Sequence, residues 1–200
     1  MPHLKDDLVL DALRKRRVMR SRDLVALGVS NAYLKEMADK GQLWRVGRGL
    51  YAPPNYDYSH NPSLTELAAH APHATICLLS ALLFHNLTTA LPNETWAAIP
   101  TGSRAPHIGG LGLQVVRVSS STFDEGVETH TLDGVDVRIY SVVRTVSMCF
   151  KYRNLVGMEF TIDALREGLR ERLFSLAQVL EIAAVDRVQN VMLPYVQALV

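Results

Sequence analysis

Glycine cuts the first fifty residues into pieces of a telling order. Gly28 stops a short helical pattern that Ser21 opens as an N-cap, with Asp23 in its first turn. Gly41 stops a second, opened by Ser30, in which Leu34, Met37 and Ala38 form an i, i+3, i+4 stripe. Between "QLWRV" and "LYA" stands "GRG", a glycine turn between two short strands. A helical segment precedes them all over residues 4–17, with Leu8, Val9, Ala12 and Leu13 on one face. Its acids lie toward the start and a basic run toward the end, as the helix dipole favours. Pro53 and Pro54 close the unit. Helix, short helix, glycine turn, helix and two-stranded ribbon form the layout of a winged helix-turn-helix, expected over residues 1–54.

The remaining chain reads differently. "NYDYSHNP", residues 55–62, has the composition of a linker. From residue 63 a mixed α+β domain is expected to residue 200. Ser63 and Glu66 have the spacing of a capping box for a helix through Ala71, and residues 75–86 read as a buried helix. "TWAAIP" and "GLQVVRV" read as strands, the second with Leu113, Val115 and Val118 inward. Asp133-Gly134 between "ETHTL" and "VDVRIY" is a hairpin signal, with Val135, Val137 and Ile139 on one face. Beyond Ser141 the pattern is helical. Ile162, Leu165, Leu169 and Leu173 share a face, Ser175 and Gln178 form a capping box, and Pro194 should kink or interrupt the last helix.

Charge is unevenly placed. Residues 1–50 carry eleven positive and six negative side chains, a net +5, so the rest must carry −4 to leave the chain at +1. A basic head of this kind suits an anionic partner. The longest apolar stretch, near residues 76–84, is broken by Ser80 and is far short of the ~20 residues that span a bilayer. The N-terminus lacks the basic flank and apolar core of a secretory signal. The expectation is a cytoplasmic protein with no membrane partner.

Enzyme signatures are missing from the sequence. His70 and His73 straddle Pro72 and share no regular helical face, while His85, His107 and His130 lie near helix ends and turns. There is no His-Glu-x-x-His, Cys-x-x-Cys, Gly-x-Ser-x-Gly or phosphate-binding loop. Asp124, Glu125, Glu128, Asp133 and Asp136 read as a solvated acidic loop and hairpin face rather than a metal site. Cys77 and Cys149 sit in apolar runs and read as buried, reduced thiols. No catalytic residue, metal or cofactor is expected. Arg144 reads as a structural clamp on an acid of the hairpin, and a basic face offered to DNA or RNA by Lys151 and Arg153 is the less favoured reading of this stretch.

The head carries the candidate site. In a helix-turn-helix the second helix enters the major groove by its N-terminal end. Here that end presents Ser30, Asn31, Tyr33 and Lys35 nearest the bases, and Asn31 has the chemistry to read adenine. Arg48 at the glycine turn, Arg45 on the strand leading into it, and Arg16, Arg17, Arg20 and Arg22 beside the motif suit phosphate. Double-stranded DNA is the expected partner.

The stretch "SRDLVALGVSNAYLKEMADKGQLWRVGRGLYA" resembles the N-terminal domain of the AbiEi antitoxin family, from AbiE-type, type IV toxin–antitoxin systems linked to abortive phage infection. "ICLLSALLFHNLT", "VRIYSVVRTVSMCFKYRNLVG", "ALREGL" and "VMLPYVQAL" are similar to its second half, and residues 144–154 are the more specific part. The resemblance implies a winged head that binds inverted repeats upstream of its own operon as a repressor, as a dimer on DNA. It implies a C-terminal domain that carries antitoxicity, and a functional pairing with a nucleotidyltransferase-like toxin without a necessary stable complex. Stand-alone transcriptional regulators belong to the same family, and a module that clamps a partner toxin is the other reading.

Overall fold

The computed structural model describes residues 3–56 and 61–199, so the expected linker lies, over residues 57–60, outside the described residues. The chain forms two compact units. One comprises Met1–Pro72 with Ile108–Leu111 and His130–Val137, and the other the remaining residues. The architecture is α+β, with a winged helix-turn-helix at its start.

In the first unit, α1 (His3–Lys15) is followed by β1 (Met19–Arg20), α2 (Ser21–Val25), α3 (Asn31–Asp39), β2 (Trp44–Gly47) and β3 (Leu50–Ala52). The strands pair in the order β1-β3-β2. Val9 and Leu13, one turn apart, are fully buried against Leu24, Leu34, Met37 and Leu43. Leu8, expected on the same face, is 45% exposed, because it stands about 100° round the helix from Val9. Ser21 is the first residue of α2 rather than its cap. Its N–H donates to the Gly49 carbonyl at 2.7 Å, which continues the pairing of β1 with β3. Ser30 does cap α3, accepting the Tyr33 N–H at 3.1 Å.

A further helix, α4 (Pro62–His70), completes this unit. It opens on Pro62, whose fixed φ is pre-set for a first helical turn, so Ser63 lies inside the helix and the expected capping box does not form. Glu66 turns to the wing, accepting the Arg48 N–H at 3.2 Å. The Asp133-Gly134 turn belongs here too. Both residues have positive φ, +53° and +77°, as a type I′ turn requires. The Asp133 carbonyl accepts the Val18 N–H at 3.0 Å, and its carboxylate accepts the Thr65 hydroxyl at 3.2 Å. A Cβ on Gly134 would stand 3.0 Å from the Arg17 nitrogen, so the turn fits only without one. Val135 packs with Val18, Leu50, Ala52, Tyr56 and Ala69 in a small second core.

A five-stranded sheet aligns β4 (Thr75–Ile76), β5 (Thr95–Pro100), β6 (Leu113–Val118), β7 (Val127–Leu132) and β8 (Val135–Tyr140) in the order β6-β5-β4-β8-β7, with residues 130–137 of β7 and β8 assigned to the first unit and the rest to the second. Residues 75–86 are not one helix. Thr75 and Ile76 pair antiparallel with β5, Ile76 pairs parallel with Ile139, and α5 (Leu78–Phe84) starts only after Cys77. Two β-branched residues beside a strand partner favour the sheet over a first helical turn. On β6 the inward residues are Val116 and Val118, with Leu113 and Val115 only half-buried.

Five helices follow: α6 (Val142–Lys151), α7 (Arg153–Val156), α8 (Met158–Arg170), α9 (Leu176–Val185) and α10 (Gln189–Ala198). On α8, Leu165 is buried as expected, but Leu173 is 48% exposed because the helix ends before it, and Phe174 turns in against Gly168 instead. The Ser175–Gln178 capping box forms. Pro194 leaves α10 uninterrupted, at the loss of the one hydrogen bond its nitrogen cannot donate.

Helix α6 packs against α5, α8 and α9, and every residue from Arg144 to Phe150 is buried. Arg144 does not pair with the hairpin. Its Nη2 lies 3.0 Å from the Asp186 carboxylate at the end of α9, and both side chains are fully enclosed. Ser147 donates to the same carboxylate at 2.7 Å and Lys151 stands 3.8 Å from it. Positions 144, 147 and 151 share one helical face, so one acid serves all three. Burial pushes the Asp186 carboxyl up, and Arg144, Ser147 and Lys151 draw it back. The two thiols are free and buried, and burial pushes both up.

Candidate nucleic-acid interface

The wing turn shows why glycine brackets an arginine. Gly49 takes a left-handed φ of +67°, open to glycine at little cost. At Gly47 a Cβ would lie 2.8 Å from the Glu66 carboxylate, so a larger residue would push that side chain off the Arg48 N–H it accepts from. Between them Arg48 is held by its backbone. Its N–H donates to Glu66 and its carbonyl accepts from His70 Nε2 at 2.7 Å. Its side chain is exposed and passes close to Gly109, where an added Cβ would stand 2.6 Å from Nη1. The wing tip is thus tied to α4.

Helix α3 buries Leu34 and Met37 and leaves Asn31 and Lys35 exposed on adjoining turns. Ser30 is occupied as the cap. Tyr33 is half-buried, and its hydroxyl donates to Asp6 of α1, which pushes the phenol up to about 12. That bond ties α1 to the start of α3 and engages Tyr33 in the structure of the head. Arg45 is exposed on β2 beside Lys35, and neither has an ion-pair partner among the described residues. Asn31, Lys35 and Arg45 therefore form one polar surface along α3 and β2.

The other arginines divide. Arg20 donates to the Asp23 carboxylate at 2.9 Å and to the Ala69 carbonyl at 2.7 Å, so its guanidinium holds α4 to the start of α2. Arg22 is exposed and 3.5 Å from Asp23. Arg17 is exposed over the Tyr56 ring, 6.0 Å from its centroid. Arg16 is exposed on a cleft of about 380 Å³ that Asp136 also lines. These four lie before and within α2, apart in sequence from the α3–β2 surface. The acids of the hairpin region are engaged locally: Asp124 with Arg138, Asp133 with Thr65, and Asp136 with Thr131.

Sequence reasoning passed over Trp44. It opens β2 at 39% exposure, next to Arg45, whereas Trp96 is 9% exposed in the other unit. An aromatic adjacent to an arginine at the start of a wing strand is the signal that could have pointed to it.

Residues 7–54 match the family model described as transcriptional regulator, AbiEi antitoxin. The resemblance read from the sequence therefore holds for the winged head, which carries α3, both wing strands and every candidate residue. The crystal structure of the RV2827C protein from Mycobacterium tuberculosis has the same fold at a TM-score of 0.61, with 14% identity over 90% of this chain and 71% of that one. No curated protein matches the chain. No helix among the described residues is long and apolar enough to cross a membrane.

Proposed function

We propose that the chain is a cytoplasmic DNA-binding antitoxin that represses its own operon and performs no catalysis. The observation that carries this reading is the surface of the family-matched head. A capped helix presents Asn31 and Lys35, and the adjoining strand presents Arg45, with both cations unpaired among the described residues. Unpaired cations beside a recognition helix are suited to phosphate, and an exposed asparagine on that helix to an adenine edge. The second unit is assigned antitoxicity against a nucleotidyltransferase-like toxin. Inverted repeats would be met by two copies of the head.

The test is a gel-shift titration of the full chain against its own upstream region, beside scrambled duplex of equal length, at two salt concentrations. A preference for the upstream region that persists at the higher salt is expected. Equal, salt-sensitive binding to both would leave only general phosphate affinity. No binding at either salt would overturn the DNA reading and favour a module that clamps a protein partner.

A further inference from the structure

Trp44 presents part of its indole at the surface of the head. Tryptophan is among the most buried side chains on average, yet Trp44 is 39% exposed at the head of an edge strand. Its strand partner is Ala52, which is fully buried. Exposure on β2 does not alternate as it does on a regular strand, because Trp44 and Arg45 are both exposed. The register shifts between Arg45 and Gly47, and irregularities of this type re-aim neighbouring side chains. The strand thus turns an aromatic and a cation outward together.

Both border a groove of about 360 Å³ between α3 and β2, whose wall also includes Lys35, Asp39 and Tyr51. Its charged residues are two cations and one acid, so an anionic occupant is favoured. Its volume is at the small end of ligand sites and suits one polymer unit rather than a folded segment. In duplex DNA the base faces are stacked, and reaching them costs several kcal/mol of unstacking. The sugar and phosphate are on the outside. An indole flanked by two cations matches an apolar sugar flanked by two phosphates.

We propose that this groove seats a sugar–phosphate unit of duplex DNA, with Trp44 packed on the deoxyribose and Lys35 and Arg45 on the flanking phosphates. The assignment rests on the DNA-binding reading and adds a positioning contact to it. Trp44 contributes register and affinity without sequence preference, while Asn31 on the neighbouring helix reads the base.

The experiment combines affinity with tryptophan fluorescence in the full chain. Trp44 and Trp96 are the only two tryptophans, and Trp96 is enclosed, so acrylamide quenching reports chiefly on Trp44. Duplex DNA should protect the wild-type fluorescence from acrylamide, and Trp44→Ala should remove that protection. Trp44→Ala should weaken binding to the upstream region and to unrelated duplex alike, by about tenfold, with the salt slope unchanged. Lys35→Ala and Arg45→Ala should each flatten the slope by about 0.9, one phosphate apiece. Trp44→Phe, which keeps an aromatic ring and guards against a folding defect, should retain most of the affinity. If wild type shifts DNA but Trp44→Ala binds as well and quenching does not change, the groove assignment falls and the DNA reading stands. If Trp44→Ala loses affinity only for the upstream region, Trp44 reads a base and the sugar assignment falls. If wild type binds no duplex at any salt, both fall.

Discussion

Helices α3 and α6 begin with the same device and end in opposite roles. In each a serine caps the third residue's N–H, Ser30 for Tyr33 at 3.1 Å and Ser141 for Arg144 at 3.4 Å. Each carries a cation in its first turn or just beyond, Lys35 in one and Arg144 in the other. On α3 the cation is exposed and unpaired among the described residues. On α6 it is fully enclosed against Asp186. An enclosed charge must have a partner, because leaving it unpaired in a low-dielectric interior costs several kcal/mol. An exposed one has no such requirement and stays available to a ligand. Burial, rather than residue type, separates the two jobs.

The comparison breaks hardest at the buried pair. Asp186→Ala leaves Arg144 enclosed without its counter-charge, and the expected loss of stability is about 3–5 kcal/mol. The double variant Arg144→Met, Asp186→Leu removes both charges at similar volume and should recover most of it. Urea denaturation, followed by the midpoint at constant slope, measures both. A double variant as unstable as the single one would mean that the pair stabilises by more than mutual neutralisation. Lys35→Ala on α3 is the matched control and should leave the midpoint within about 0.5 kcal/mol.

A smaller effect is expected where the hairpin turn meets the head. Gly134→Ala places a Cβ 3.0 Å from the Arg17 nitrogen at a φ of +77°, so backbone must give way and a left-handed conformation must be held without glycine. About 2 kcal/mol of destabilisation follows from conformation and crowding together. Gly102→Ala, also left-handed at φ +88° but with nothing within 4 Å of its Cβ, separates the two terms. It should cost about 1 kcal/mol. Equal losses at the two positions would show that the packing of Gly134 on residues 16–17 contributes nothing.

How far the sequence could be read follows from the range of the interactions involved. The cap of α3, the stops after α2 and α3, the wing strands and the capping box of α9 depend on residues within a few positions, and all are legible. Thr75 and Ile76 form a strand because Ala97, Ala98 and Ile139 lie beside them, and none of these is a neighbour in sequence. The Asp133-Gly134 turn was legible as a turn, but its bond to Val18 depends on tertiary packing alone. The same limit divides the candidate site. Asn31, Lys35 and Arg45 were placed by the motif, and the structure leaves all three exposed. Arg20 was indistinguishable from them in sequence, and only the fold brings the Ala69 carbonyl within 2.7 Å of it. Trp44 was passed over because periodicity assigns an apolar residue on a strand to the core.

The smallest effect tests whether α3 is held from its exposed side as well as from its core. Tyr33 donates to Asp6, and that bond is the leading cause that raises the phenol from 10.0 to about 12. A group whose folded pKa lies above its unfolded value favours the protonated form in the native state. The contribution is therefore complete below about pH 10 and is lost as pH rises through 12. Absorbance at 295 nm should show Tyr33 titrating late, together with Tyr140 and Tyr152 of the other unit, which burial also pushes up. Tyr33→Phe should reduce that late phase by one tyrosine and make the melting temperature less sensitive to alkali between those limits. Asp6→Asn should return the phenol toward 10.0 while leaving Tyr33 in place. If Asp6→Asn does not shift the part of the late phase that Tyr33→Phe removes, burial rather than the hydrogen bond raises the phenol, and α1 does not hold α3 through this pair.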